Sequence, residues 1–312
     1  MKIEAAPYKG WARALHISNG HVELVTTLAV GPRILRYAYI GGANLLNEIP
    51  EQMGTAGEDT WLMRGGHRLW ASPEDPAYTY FADNNPAKHG IEGDQAWVES
   101  QIDPKTGLSY RMRICLNGSG SGVRIEHTVT NHHNKTYRLA PWALTVFAAG
   151  GTAVIPLPAY KAHPGDHGEK AADFGPQLSL ALWPYFRFSD KRFTFGDRTI
   201  RVKQDATNVL PTKIGACLPD AWAAYHLNNT LFVKRFAFDP QASYPDGGCN
   251  FETYADGNVL ELESLAGLRQ VAPGQAVLHA ETWSLHQPVS LPTNEAEIAA
   301  MIEPLVQQTP TP

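Results

Sequence analysis

Apolar and polar positions alternate along most of this chain. From residue 108 to 114, Leu108, Tyr110, Met112 and Ile114 interleave with Ser109, Arg111 and Arg113, the period of a strand with one buried face. The run NGSGSG over 117–122 supplies a turn, after which Val123, Ile125 and Val129 alternate with Arg124, Glu126 and Thr128. Together they predict a β-hairpin. Similar strands are predicted at 21–28, 33–40, 199–202, 231–238, 258–265 and 276–285, separated by Pro, Gly, Asn and Asp clusters. Helical period occurs only near the C-terminus, where Asn294 and Glu297 form a capping signature ahead of Ile298, Met301, Ile302 and Leu305. Pro304 is expected to limit that helix, and the final TPTP to fray. Many strands, one late helix and no βαβ alternation predict an all-β sandwich. The stretches 41–95 and 156–184 show no period and read as long loops, the usual carriers of a site.

Composition narrows the picture. The 312 residues, 43% hydrophobic and 18% charged, are enough for one large domain spanning 1–312, with its β core at about 19–286 and a helix and tail at 293–312. A net charge of −5 without any basic block makes nucleic acid or a membrane surface an unexpected partner. Cys115, Cys217 and Cys249 are scattered, which predicts neither a disulfide framework nor a zinc ribbon and fits a reducing compartment. The first twenty residues carry no leader pattern, so a cytoplasmic location is expected. No cofactor motif occurs: the glycine run lacks the Lys-Ser/Thr ending of a phosphate loop, and no G-x-S-x-G elbow is present. His163 and His167 flank a Pro-Gly pair that excludes a helix, and neither they nor His132-His133 have an identifiable third ligand, so no metal is expected.

Three segments concentrate chemistry. Residues 64–74, RGGHRLWASPE, bring a cation, an imidazole, a large aromatic and a carboxylate together, the mixture a sugar needs for its hydroxyls and its apolar C–H face. A rigid loop in which Arg68 pairs with Glu74 and Trp70 plugs the core is the structural alternative. His89, in a glycine turn before Trp97, is by itself more simply a solvated residue. On 258–265, Val259, Glu261, Glu263 and Leu265 share one face. That face is either a site or a solvent-facing edge, and periodicity does not choose between them. Phe232, Lys234, Phe236 and Phe238 also share a face, where the lysine would stack, snorkel or reach a polar cavity.

Taken in order, GGHRLWASPE, APWALTVFAAGG, WPYFRFSD, KIG, LFVKRF, YPDGGCNFETY, NVLELESLAGLRQVAPG and AETWSL make the chain resemble the galactose mutarotase-like superfamily, over roughly Asn19 to Leu285. The resemblance implies a β-supersandwich and, in its aldose 1-epimerases, a histidine acid and a glutamate base acting at the anomeric centre. Glu263 best matches the base, with Glu261 as fallback; His89-Gly90 resembles a family His-Gly, His67 is the other candidate acid, and Arg68 looks like the substrate arginine. One departure stands out, since Ala140–Phe147 carries no histidine where the epimerases place their acid. The expectation is therefore a sugar-binding protein leaning to an isomerase. Arg68 and Lys234 would bind hydroxyl or acid groups, Trp70 and Trp142 would stack, and Asp246, Glu252, Glu261 and Glu74 would complete the site. A non-catalytic sugar binder, or a hydrolase or lyase pairing Glu74 or Glu252 with Glu263, are the alternatives. A monomer or homodimer that binds a small sugar or sugar derivative is expected.

Overall fold

The computed structural model describes residues 1–312, the side chains of Asp166 and Ala172 excepted. Two large antiparallel sheets, of 11 and 10 strands, pack face to face. The first runs from edge to edge through Lys2–Tyr8, Trp11–Ser18, Val22–Thr27, Arg33–Tyr39, Gly66–Ser72, Tyr137–Phe147, Leu260–Leu265, Phe251–Ala255, Thr212–Ala216 and Leu180–Leu182, with Arg269–Val271 also paired to Tyr137–Phe147. The second runs through Phe193–Phe195, Thr199–Lys203, Thr152–Pro156, Trp222–Leu227, Thr230–Phe236, Ala276–His286, Val123–Asn131, Leu108–Leu116, Gln95–Glu99 and Lys88–Glu92. The all-β sandwich and the hairpin read from alternation are both present: Leu108 to Leu116 pair in register with Asn131 back to Val123.

The main core lies between the sheets, where inward residues such as Ile34, Leu69, Met112, Ile125, Leu262 and Trp283 are buried. Four expectations change. Residues 66–72 form a central strand rather than a loop, and every residue of it is buried, which is why no polar alternation marks it. The N-terminal hairpin at Lys2–Tyr8 and Trp11–Ser18 extends the first sheet beyond the expected core. At the other end, helix Glu295–Gln308 runs through Pro304 instead of stopping there, its N-cap Asn294 accepting the Ala296 and Glu297 amides. Ile298, Ile302 and Val306 hold it by packing on Val154, Trp222, Leu231 and Val233 on the outer face of the second sheet. This burial outweighs the one hydrogen bond a mid-helix proline removes. The tail after it is tied down, not frayed: Thr309 is buried, and its carbonyl accepts from Arg235 at 3.0 Å. No helix among the described residues is long and apolar enough to cross a membrane.

Candidate functional site

Five adjacent strands of the first sheet aim charge at the face away from the second sheet. Register makes two neighbouring rows: Arg68, Leu144, Glu263, Glu252 and Gly215 lie side by side, as do Val146, Glu261, Tyr254 and Lys213. Side chains in such rows stand close enough to touch. Gly215 ends the first row, and a Cβ there would lie 2.7 Å from Cys249 Sγ and 3.2 Å from Glu252 Cγ, so glycine leaves the space Glu252 occupies.

Above these rows opens a cavity of about 330 Å³, lined by Arg68, Trp70, Trp142, Lys213, Glu261 and Glu263 from the sheet and by Trp61, Glu74, Tyr80 and Tyr185 from connecting segments. Arg68 donates to both Glu261 oxygens at 3.2–3.3 Å, and its guanidinium lies 4.4 Å from the Trp70 ring centre. Lys213 Nζ donates to Glu263 Oε2 at 2.9 Å, an atom that also accepts from Trp142 Nε1 at 2.9 Å. The same ammonium stands 4.6 Å from the Trp142 ring centre and 4.8 Å from that of Trp183. It also lies 2.7 Å from Glu252 Oε2, a second ion pair. Among the described residues Glu263 Oε1 and Arg68 Nε have no hydrogen-bond partner. Tyr80 donates to Glu74 at the rim.

Burial raises the Glu263 carboxyl against the opposing pull of Lys213, and raises Glu252 well above the carboxylate range, with Glu263 adding to the effect. Burial thus pushes both carboxyls up, Glu252 further than Glu263, while the shared Lys213 ammonium pulls both down. Burial alone would lower Lys213, but Glu263 and Glu252 overcome it and hold the ammonium firmly charged.

Of the residues expected at a sugar, Arg68, Trp70, Glu74, Trp142, Glu261 and Glu263 meet at this cavity, and Glu252 lies behind its lining. The solvent-edge alternative for Glu261 and Glu263 fails, since both are buried on a central strand. So does the alternative Arg68–Glu74 pairing: Glu261 takes Arg68, and Glu74 takes Tyr80. Asp246 does not line the cavity; it accepts from Ser72 Oγ at 3.2 Å in a turn. The expected convergence of His89 with Arg68 and Glu263 does not occur. His89 is exposed on Lys88–Glu92, the edge strand of the other sheet.

His67 and Lys234 face the interior instead. His67 follows the strand period to the side opposite Arg68, and Lys234 projects inward from the second sheet. Between the sheets they join a buried network with Thr145, His127, His279, Ser264 and Glu281. His67 Nε2 lies 2.7 Å from His127 Nε2 and its Nδ1 lies 2.9 Å from Thr145 Oγ1. Lys234 Nζ lies 2.8 Å from Glu281 Oε1 and donates to the Leu262 carbonyl at 3.1 Å. Ser264 donates to Glu281 at 2.5 Å and Trp283 Nε1 donates to it at 2.8 Å. Burial depresses all three rings, His67 well below its ordinary value and His127 and His279 to about 3, so each is neutral. His67, His127 and Glu281 bring ligand atoms within 4.8 Å of one another. Two nitrogens on one tetrahedral zinc, each at about 2.0–2.1 Å, would stand roughly 3.3 Å apart. The 2.7 Å separation is that of a hydrogen bond, and the adjacent ammonium opposes a dication.

Lys213, Tyr80, Tyr185 and Trp61 were not singled out from the sequence, because a lone lysine in a short strand and aromatics in aperiodic segments carry no pattern.

A large antiparallel sandwich with a charged, aromatic-lined cavity on one sheet defines the class. Among solved structures the chain is similar to the Slr1438 protein from Synechocystis sp. PCC 6803, at 13% identity and TM-score 0.56, over 91% of this chain and 99% of that one. It is also similar to a galactose mutarotase-like protein from Lactobacillus casei, at 10% identity and TM-score 0.55, over 88% and 100%. A third, a galactose mutarotase-like protein from Clostridium acetobutylicum, matches at 10% identity and TM-score 0.52, over 92% and 98%. The chain has the galactose mutarotase-like fold. No protein-family model matches it, and no curated protein does.

Proposed function

We propose that the cavity binds a pyranose and that the protein interconverts its anomers, with Glu263 as the base. The observation that carries this reading is Glu263 Oε1, a buried carboxylate oxygen without a protein partner, in a cavity walled by Trp61, Trp70 and Trp142. Unpartnered buried acceptors are rare and call for an explanation; the hydroxyl on an anomeric carbon supplies one. The tryptophans offer faces to the sugar's C–H groups. Names borne by structures of the same fold point to the same chemistry.

In this reading Lys213 and Trp142 fix one oxygen of Glu263 and leave the other free to take the anomeric proton. No histidine among the described residues lines the cavity, so the acid in this reading differs from the one the resemblance implies. The Lys213 ammonium is the charged donor nearest Glu263. It gives its proton to a ring oxygen that becomes strongly basic as the C–O bond breaks, and takes it back on closure. Glu261 neutralises Arg68 and holds it on Trp70, where its remaining N–H groups address hydroxyls.

The test is anomer exchange followed by NMR on freshly dissolved α-glucose and α-galactose, with saturation transfer on the same samples. Acceleration that Glu263→Gln abolishes supports the reading. Saturation transfer without acceleration supports a binder in place of an enzyme, a reading that the missing histidine favours. Release of sugar from a glycoside would shift the role to Glu74 with Glu263, two carboxyls that line the same cavity.

A further inference from the structure

We propose that the ring at Glu263 is the reducing end of an acidic oligosaccharide, whose next residues lie past Tyr185 along Arg187, Lys191 and Lys203. This rests on the reading that the cavity takes a pyranose. The cavity does not close at Tyr185 and Pro211. Both residues also line an adjoining hollow of about 410 Å³ with Arg187, Lys191 and Arg192. Lys191 and Arg192 in turn line a third hollow of about 560 Å³ together with Lys203. Shared wall residues set the three hollows next to one another, and we read them as one trough longer than a single sugar ring occupies. Tyr185, 39% exposed, stands where the first two meet and presents a ring on which a second sugar can stack.

Charge changes along this trough. In the central cavity each cation has its carboxylate: Arg68 has Glu261, and Lys213 has Glu252 and Glu263. An anionic group gains little there and would face buried carboxylates. Beyond Tyr185, Arg192 is locked to Asp190 at 2.7 Å, whereas Arg187, Lys191 and Lys203 form no ion pair among the described residues and are exposed. Asp205, the other carboxylate of these hollows, is engaged by the Thr207 amide and hydroxyl at 2.9 and 2.7 Å. A file of unpaired cations on a chain of net charge −5 suits a ligand that repeats a negative charge. A sugar polymer with a carboxylate on each residue has that form, its terminal ring turning the anomeric hydroxyl to Glu263 and its own carboxylate to the open side at Tyr185.

Calorimetric titration with oligogalacturonates, oligomannuronates and hyaluronan oligosaccharides, against malto- and cello-oligosaccharides, tests the proposal over one to four residues. The expected result is a gain of about tenfold or more from monomer to trimer in an acidic series, reduced by added salt. The gain should disappear in Tyr185→Ala and in the triple variant Arg187→Ala, Lys191→Ala, Lys203→Ala. Monosaccharide binding without any gain in length overturns the proposal and leaves the cavity reading standing. An equal gain in the neutral series overturns the acidic assignment. Failure to bind any sugar, monomers included, overturns the cavity reading and the proposal with it.

Discussion

The strand Leu260–Leu265 separates two buried charged regions that differ in one respect. Behind it, Lys234, Glu281, three histidines, Ser264 and Thr145 bond mainly to one another and to the backbone, and none of them has a buried nitrogen or oxygen left without a partner. In front of it, Arg68, Lys213, Glu252, Glu261 and Glu263 pair as well, yet Glu263 Oε1 and Arg68 Nε are left over. Both regions hold buried ions, which are costly to desolvate and return that cost only with good partners. Closure is the mark of a structural role, because every group is used within the protein. Incompleteness on a cavity wall is the mark of a ligand-facing role. Burial and charge alone do not distinguish the two.

The sharpest way to break this contrast is to open the closed side. Lys234→Met strands Glu281 between Trp283 and Ser264 and frees the Leu262 carbonyl, and a broken buried pair costs about 3–5 kcal/mol. Urea unfolding should show a loss of that size. Adding Glu281→Gln should restore part of it, since an amide keeps the contacts to Trp283 and Ser264 without the unpaired charge. A loss below about 1 kcal/mol would mean the network is not the structural unit described.

On the open side the same chemistry should give the opposite division between stability and activity. Glu263→Gln removes one of two acidic side chains sharing Lys213, and Glu252 remains at 2.7 Å to hold the ion pair. Stability should move by about 1 kcal/mol or less. Anomer exchange should fall by roughly 10²–10⁴-fold, the range for a positioned general base. A large loss of stability with little loss of activity would place Glu263 with the structural network.

These two regions also show where sequence reading succeeds. The hairpin and the Glu261/Glu263 face were legible because period 2 records which residues share a side. The central strand 66–72 was not, since burial on both sides erases the alternation that marks an exposed face. His67 and Arg68 were grouped because they adjoin in sequence, but adjacent strand residues point to opposite sheets. Lys213 was missed for a related reason: only pairing across Thr212–Ala216, Phe251–Ala255 and Leu260–Leu265 brings it to Glu263. The sandwich was readable from local pattern, whereas the partners of each charge depend on register among strands far apart in the chain.

Acidity probes the closed side by a third route. His127 and His279 are held at about 3 by burial, against roughly 6.5 in the unfolded chain, and His67 is lowered in the same sense. Between those values the unfolded state binds more protons, so stability rises with pH. The histidine contribution is complete above about pH 6.5 and is lost as pH falls toward 3, at up to about 1.4 kcal/mol per pH unit for each ring. Unfolding curves from pH 8 to pH 4 should show this slope, and His279→Gln should flatten it by one ring's share. An unchanged slope would mean that this ring is not neutral in the fold.

The smallest effect is expected at His89, one of the two candidate acids that the family resemblance implied. His89 is exposed on an edge strand of the second sheet and lines no part of the cavity. Its Cα faces Val98 across a two-strand ladder, and an exposed side chain there holds nothing in place. His89→Ala should change stability by about 0.5 kcal/mol or less and leave anomer exchange and sugar affinity within about twofold of the parent. The comparison with Glu263→Gln makes this informative. If the catalytic pair were the histidine and glutamate of the epimerases, the two variants would fail together, since removing either member of an acid–base pair stops the same step. If Lys213 supplies the proton, only Glu263→Gln and Lys213→Met lose exchange, and a matched loss in His89→Ala would require the edge strand to reach the cavity in solution.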